Sequence, residues 1–71
     1  MDVKNIENNF VYHKPFGDQL DRYVSIRDKA KELALHINNT CPDSREKSLA
    51  MTKLEEAVMW ANAAIARNEE E

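Results

Sequence analysis

Tyr23, Arg27 and Lys31 stand four residues apart. On a helix that spacing gathers a phenol, a guanidinium and an ammonium into one stripe. The stripe lies beside an apolar seam, where an arginine is partly desolvated and can hold a phosphate with two parallel hydrogen bonds. Tyr12 offers a flat ring on which a base can stack, and His13 follows it. The same spacing fits a second reading, in which Arg27 and Lys31 rim an interface and pair with Asp28, Glu32 or a neighbour's glutamates. Two further polar groups interrupt apolar surroundings. Asn62 either fixes the register of an oligomer, as buried asparagines do in coiled coils, or faces a ligand. Arg67 either satisfies the carbonyls and dipole of a helix C-terminus or points at an anion on an oligomer axis.

Catalytic groups do not assemble. Ser44, Ser48 and Thr52 share a helix face without a histidine nearby, and Glu55-Glu56 beside Lys53 reads as a solvated face. His13 reads as a packing or hydrogen-bonding group. Cys41 precedes a proline near a helix start, but no partner base accompanies it, so a nucleophilic role is not expected. One glycine cannot build a phosphate loop, and His13 and His36 lack further ligands at metal spacing. The expectation is a protein that is not an enzyme and uses no metal or cofactor.

These groups need elements to hold them. Residues 1–9 are polar and without periodicity, and are expected to be flexible. Residues 10–17 form an ordered arm packing on something, with Pro15 favouring extended backbone before it. Tyr23, Ile26, Ala30, Leu33 and Ile37 make an a/d seam, which predicts a helix over about 18–38 with Asp18 as its N-cap. Asn38 and Asn39 suit a left-handed C-cap, and Pro42 ends the helix. Asp43 with Glu46 resembles a capping box opening a helix over about 43–67, whose seam is Met51, Leu54, Val58, Ala61 and Ile65. Ala50, Ala57 and Ala64 form a second stripe, open to close approach by another helix. The fold class is all-α: an antiparallel αα-hairpin over 10–68, with an acidic tail at 69–71.

The run Ala57 to Ala66 is apolar except for Asn62, so its helix is apolar on every side and must be covered. It is about half the roughly 20 residues that span a bilayer, and a chain of 71 residues cannot wrap it. Trp60 is the expected interface anchor. With a single cysteine there is no internal disulfide, so a symmetric homo-oligomer is expected. The lone cysteine and the lack of an apolar leader fit a reduced cytosolic setting, without a membrane. The net charge of −3 comes from Glu69-Glu70-Glu71, and an otherwise neutral chain argues against a polymeric nucleic-acid partner.

The motifs Phe10-x-Tyr12-His13-x-Pro15, Arg22-Tyr23-x-x-Ile26-Arg27-Asp28-x-Ala30-Lys31, Cys41-Pro42-Asp43-Ser44-Arg45-Glu46 and Met59-Trp60-Ala61-Asn62-Ala63-Ala64-Ile65-Ala66-Arg67 carry a resemblance. Together they are similar to the helical-hairpin domain of bacteriophage proteins that counter CBASS and Thoeris immunity. The resemblance covers residues 10–68. It implies a homo-hexamer in the cytoplasm of the infected bacterium that sequesters cyclic dinucleotides, cyclic trinucleotides or cyclic ADP-ribose isomers without cleaving them. It also implies pockets between protomers, with Tyr12 and either Arg27 or Lys31 as dinucleotide contacts and Arg67 as the arginine for a second ligand. The anti-Thoeris branch usually has additional amino-terminal strands, which this chain lacks. The alternative is a helical oligomerisation or host-protein interaction module that binds no nucleotide.

Overall fold

The structure is a computed structural model and describes residues 2–70. Met1 and Glu71, which end the expected flexible segment and acidic tail, lie outside the described residues. Three helices follow in order: α1 (Val3–Asn9), α2 (Gln19–Thr40) and α3 (Arg45–Asn68). The two long helices pack antiparallel as the hairpin.

Apolar periodicity places the seam, with one correction. Tyr23, Ile26, Ala30 and Ile37 are partly covered, as are Met51, Leu54, Val58, Ala61 and Ile65. Leu33 is not: it stays 47% exposed, and the half-covered position is Ala34. An α-helix advances 3.6 residues per turn against the 3.5 of a heptad, so a straight helix drifts off a strict a/d pattern.

The helix ends use different residues from those expected. Asp18 occupies the N-cap position of α2, but its side chain makes no cap hydrogen bond and accepts instead from Arg22 Nε at 3.1 Å. Gln19 Oε1 accepts from the Phe16 amide at 3.1 Å. The chain enters this turn through Gly17, whose φ of +56° is a left-handed conformation that suits glycine. At the other end α2 runs on to Thr40 and stops at extended Cys41 before Pro42. Among the described residues no non-glycine has positive φ, so Asn38 and Asn39 are helical and not left-handed caps.

Ser44, not Asp43, caps α3, and its Oγ accepts from the Lys47 amide at 3.1 Å. The expected Asp43–Glu46 box is replaced by Lys47, whose Nζ donates to Asp43 (2.9 Å) and to the Asn38 carbonyl (3.0 Å). One lysine thus ties the start of α3 to the end of α2. Ser44→Ala removes the cap acceptor, so a loss of about 1 kcal/mol is expected, read as a lowered urea midpoint at unchanged slope.

Residues 3–9 are helical although the sequence shows no sustained periodicity there. Val3, Ile6 and Phe10 have i, i+3, i+7 spacing, Asp2 accepts from the Lys4 amide (3.2 Å), and the Phe10 amide closes onto Ile6 and Glu7. The arm at 10–17 then crosses without regular structure. Its first apolar residues are largely uncovered, with Phe10, Val11 and Tyr12 86%, 57% and 82% exposed, whereas Pro15 and Phe16 are half-buried.

The hairpin forms a slab of 44 × 30 × 13 Å, little thicker than one helix with its side chains, roughly 10–12 Å. Most domains close two layers around a core. Here, among the described residues, no apolar side chain is buried, and Gln19 alone is buried at all. No described helix is long and apolar enough to cross a membrane.

Candidate functional site

An open groove of about 300 Å³ runs between α2 and α3. Its α2 wall is Arg27, Ala30, Lys31 and Ala34, and its α3 wall is Met51, Leu54, Glu55 and Val58. The i, i+4 spacing sets Arg27 and Lys31 on one lip, because both belong to the stripe bordering the Ala30–Ala34 face. Small alanines below them leave the space that larger side chains would fill. The volume lies at the low end of ligand pockets, roughly 300–1,000 Å³.

Neither cation has an ion-pair partner among the described residues. The ion pairs among the described residues involve Arg22, Lys47 and Lys53, so Arg27 and Lys31 pair with neither Asp28 nor Glu32. Glu55 is the one acidic residue of the lining. Two cations against one carboxylate, over an apolar floor, suit a ligand that is anionic at one edge and flat and apolar across its body.

The other candidates lie outside this lining. Tyr23 is half-buried one turn before Arg27. Asn62 is half-buried in α3, and its Oδ1 is buried without a hydrogen-bond partner. Such an orphan acceptor costs about 1–3 kcal/mol unless a donor reaches it. Tyr12 and His13 sit on the arm, and Arg67 is half-buried in the last turn of α3. His13 Nε2 donates to the Asn8 carbonyl at 2.7 Å, and Asn8 Nδ2 donates to the Arg67 carbonyl at 3.0 Å. The structure therefore sets Arg27 beside Lys31 on the groove, ties His13 through Asn8 to the backbone of Arg67 away from that lining, and leaves Tyr12 exposed next to His13.

A clasp missed in the sequence fixes the end where Arg67 sits. Arg22 grips Glu69 with two parallel bonds of 2.7 and 2.6 Å, and Gln19 Nε2 donates to the same carboxylate at 3.0 Å. Glu69, the first residue of the acidic tail, thus ties the end of α3 to the start of α2. These bonds hold its carboxyl at about 2, well below 4.5, with Arg22 the largest cause and Gln19 next. The arginine is raised in turn, chiefly by Glu69. A carboxyl whose pKa falls on folding adds stability above its unfolded value and loses it as protons return. Acid should therefore weaken the fold as pH drops from 4.5 towards 2, and Glu69→Gln should flatten that part of the acid limb of a urea-midpoint profile.

No curated protein and no solved structure matches the chain. The family model described as Acb2/Tad1, hairpin domain, matches residues 1–66. That family is associated with phage anti-defence sequestration of cyclic nucleotides. The match takes in all of the hairpin but its last two residues, Arg67 and Asn68, and the chain belongs to the Acb2/Tad1 hairpin-domain family of anti-CBASS and anti-Thoeris sponges.

Proposed function

We propose that this protein is a stoichiometric sponge. It assembles as a homo-oligomer, a hexamer by the family resemblance, and acts in the cytoplasm of the infected bacterium. It binds cyclic dinucleotides, and also cyclic trinucleotides or cyclic ADP-ribose isomers, and holds them intact so that CBASS or Thoeris effectors lack their signal. The observation that carries the reading is the unpaired Arg27–Lys31 lip over an apolar groove in a chain of this family. Arg27 and Lys31 contact phosphate, Tyr12 from another copy stacks on a base, and Arg67 serves a second ligand. The protein is not an enzyme on this reading, because the groove lining offers an anion cradle and no nucleophile–base pair.

Surface area supports assembly. A folded monomer of 8.2 kDa should expose about 4,500 Å², whereas this chain exposes 5932 Å². The excess, on the order of 1,400 Å² per chain, matches what obligate interfaces remove. Ala50, Ala57 and Ala64 are all exposed, so a neighbouring helix can approach α3 closely there. Met59 and Trp60, 68% and 62% exposed, also favour a second reading, an interaction module without a nucleotide ligand.

A depletion-and-release experiment separates the two. Protein is mixed with a panel of cyclic dinucleotides, cyclic trinucleotides and cyclic ADP-ribose isomers, filtered, then heat-denatured. A messenger that leaves the filtrate and returns intact supports the sponge. Return of an altered compound makes the protein an enzyme, and a filtrate that keeps every compound favours the interaction module.

A further inference from the structure

Phe10, Val11 and Tyr12 stand exposed at the tip of a loop that is closed on itself. The His13 Nε2 bond to the Asn8 carbonyl closes it, and the Asn8 Nδ2 bond to the Arg67 carbonyl seats it on the last turn of α3. One residue therefore holds both ends of this arrangement, its backbone fixing the ring next to Tyr12 and its amide fixing the helix end. The Arg67 carbonyl is among the last four of α3 and has no intrahelical donor, so Asn8 satisfies a group that the helix leaves open. Between this closure and the Phe16 amide bond to Gln19, no other hydrogen bond ties Val11 to Pro15 to the described residues. The tip's own side chains are too exposed to anchor it.

We propose that Asn8 is a positioning residue that sets Tyr12 relative to Arg67, so that the arm and the end of α3 behave as one unit. Its consequence for affinity rests on the sponge reading. An aromatic ring offered from a closed loop binds without the ordering cost of a free arm, and avoiding that cost raises affinity. Asn8 touches no ligand in this account and acts through Tyr12.

The test uses the full chain with two readouts. The first needs no ligand: chymotrypsin cleavage after Phe10 and Tyr12, followed by mass spectrometry. The second is affinity for the cyclic dinucleotide that the wild-type chain retains best. Asn8→Asp puts an acceptor against the Arg67 carbonyl, His13→Ala opens the loop, and His13→Gln returns a donor near the Nε2 position. Cleavage is expected to speed up about tenfold in the first two, the scale of one net hydrogen bond, and affinity to fall about as much. His13→Gln should restore both, with helical circular dichroism unchanged throughout. Should Asn8→Asp fail to fold, the His13 pair decides loop closure, and Asn8→Ser, which keeps a short donor and the backbone carbonyl, decides the link to Arg67. Unchanged cleavage in the opened variants overturns the proposal, as does faster cleavage with unchanged affinity. If the wild-type chain binds no cyclic nucleotide, the sponge reading fails separately, and the cleavage rates still decide whether Asn8 fixes the arm.

Discussion

Changing Tyr12 and Arg27 together to alanine is expected to lower affinity for a cyclic dinucleotide by a hundredfold or more, while leaving helicity and assembly intact. A base stacked on an aromatic ring is worth about 1–3 kcal/mol. A charge-assisted hydrogen bond to phosphate adds about 1.5–3 kcal/mol. Their sum, at about 1.4 kcal/mol per decade, sets the expected loss at roughly two to four orders of magnitude. Assembly should survive because both side chains are exposed and neither belongs to the α2–α3 seam. Titration calorimetry and sedimentation velocity on the same samples check both halves, and dissociation of the oligomer would show that packing residues had been mistaken for ligand contacts.

A mixing experiment sharpens this result. Tyr12 does not line the groove that Arg27 and Lys31 border, so the proposed sponge takes the two residues of one site from different copies. Chains carrying Tyr12→Ala alone and Arg27→Ala alone should each bind weakly. Unfolded together and refolded as mixed oligomers, they should regain some sites, because some interfaces then pair an intact Tyr12 with an intact Arg27. A site built within one chain regains none.

How far the sequence discloses this molecule depends on the kind of signal. The α2 and α3 hairpin follows from apolar spacing sustained over several turns, and all five α3 seam positions lie where that spacing puts them. The groove's lip is legible too, since i, i+4 neighbours on a helix must share a stripe. Choices between adjacent residues are not. Asp18 against Gln19, Asp43 against Ser44 and Leu33 against Ala34 each turn on a rotation or hydrogen bond set by the partner helix. The pairs Asn8–Arg67 and Arg22–Glu69 are separated by 59 and 47 positions, and no local rule links residues so distant. Residues 3–9 hid their helix because three apolar residues make too short a period to read.

Trp60→Ala is expected to cost the protein its assembly and most of its fold together. The slab has no buried apolar side chain among the described residues, so in the proposed homo-oligomer the hydrophobic burial that offsets chain entropy comes from other copies. Trp60 is the largest exposed side chain of α3, and Met59 beside it is exposed as well. Interface tryptophans commonly contribute 2 kcal/mol or more. Because folding and association are then one equilibrium, stability depends on protein concentration. The wild-type melting temperature should rise with concentration. Trp60→Ala should lower it at every concentration and release a largely unfolded chain, seen as loss of helical circular dichroism alongside a monomer in sedimentation equilibrium. Asn62 probes the same surface from its polar side. If a neighbour or ligand donates to its orphaned Oδ1, Asn62→Leu should weaken the assembled protein. If nothing does, removing the unsatisfied acceptor should stabilise it by about 1–3 kcal/mol. A folded wild-type monomer whose melting is independent of concentration would place the stabilising contacts inside the hairpin, where neither Trp60 nor the exposed alanine stripe can supply them.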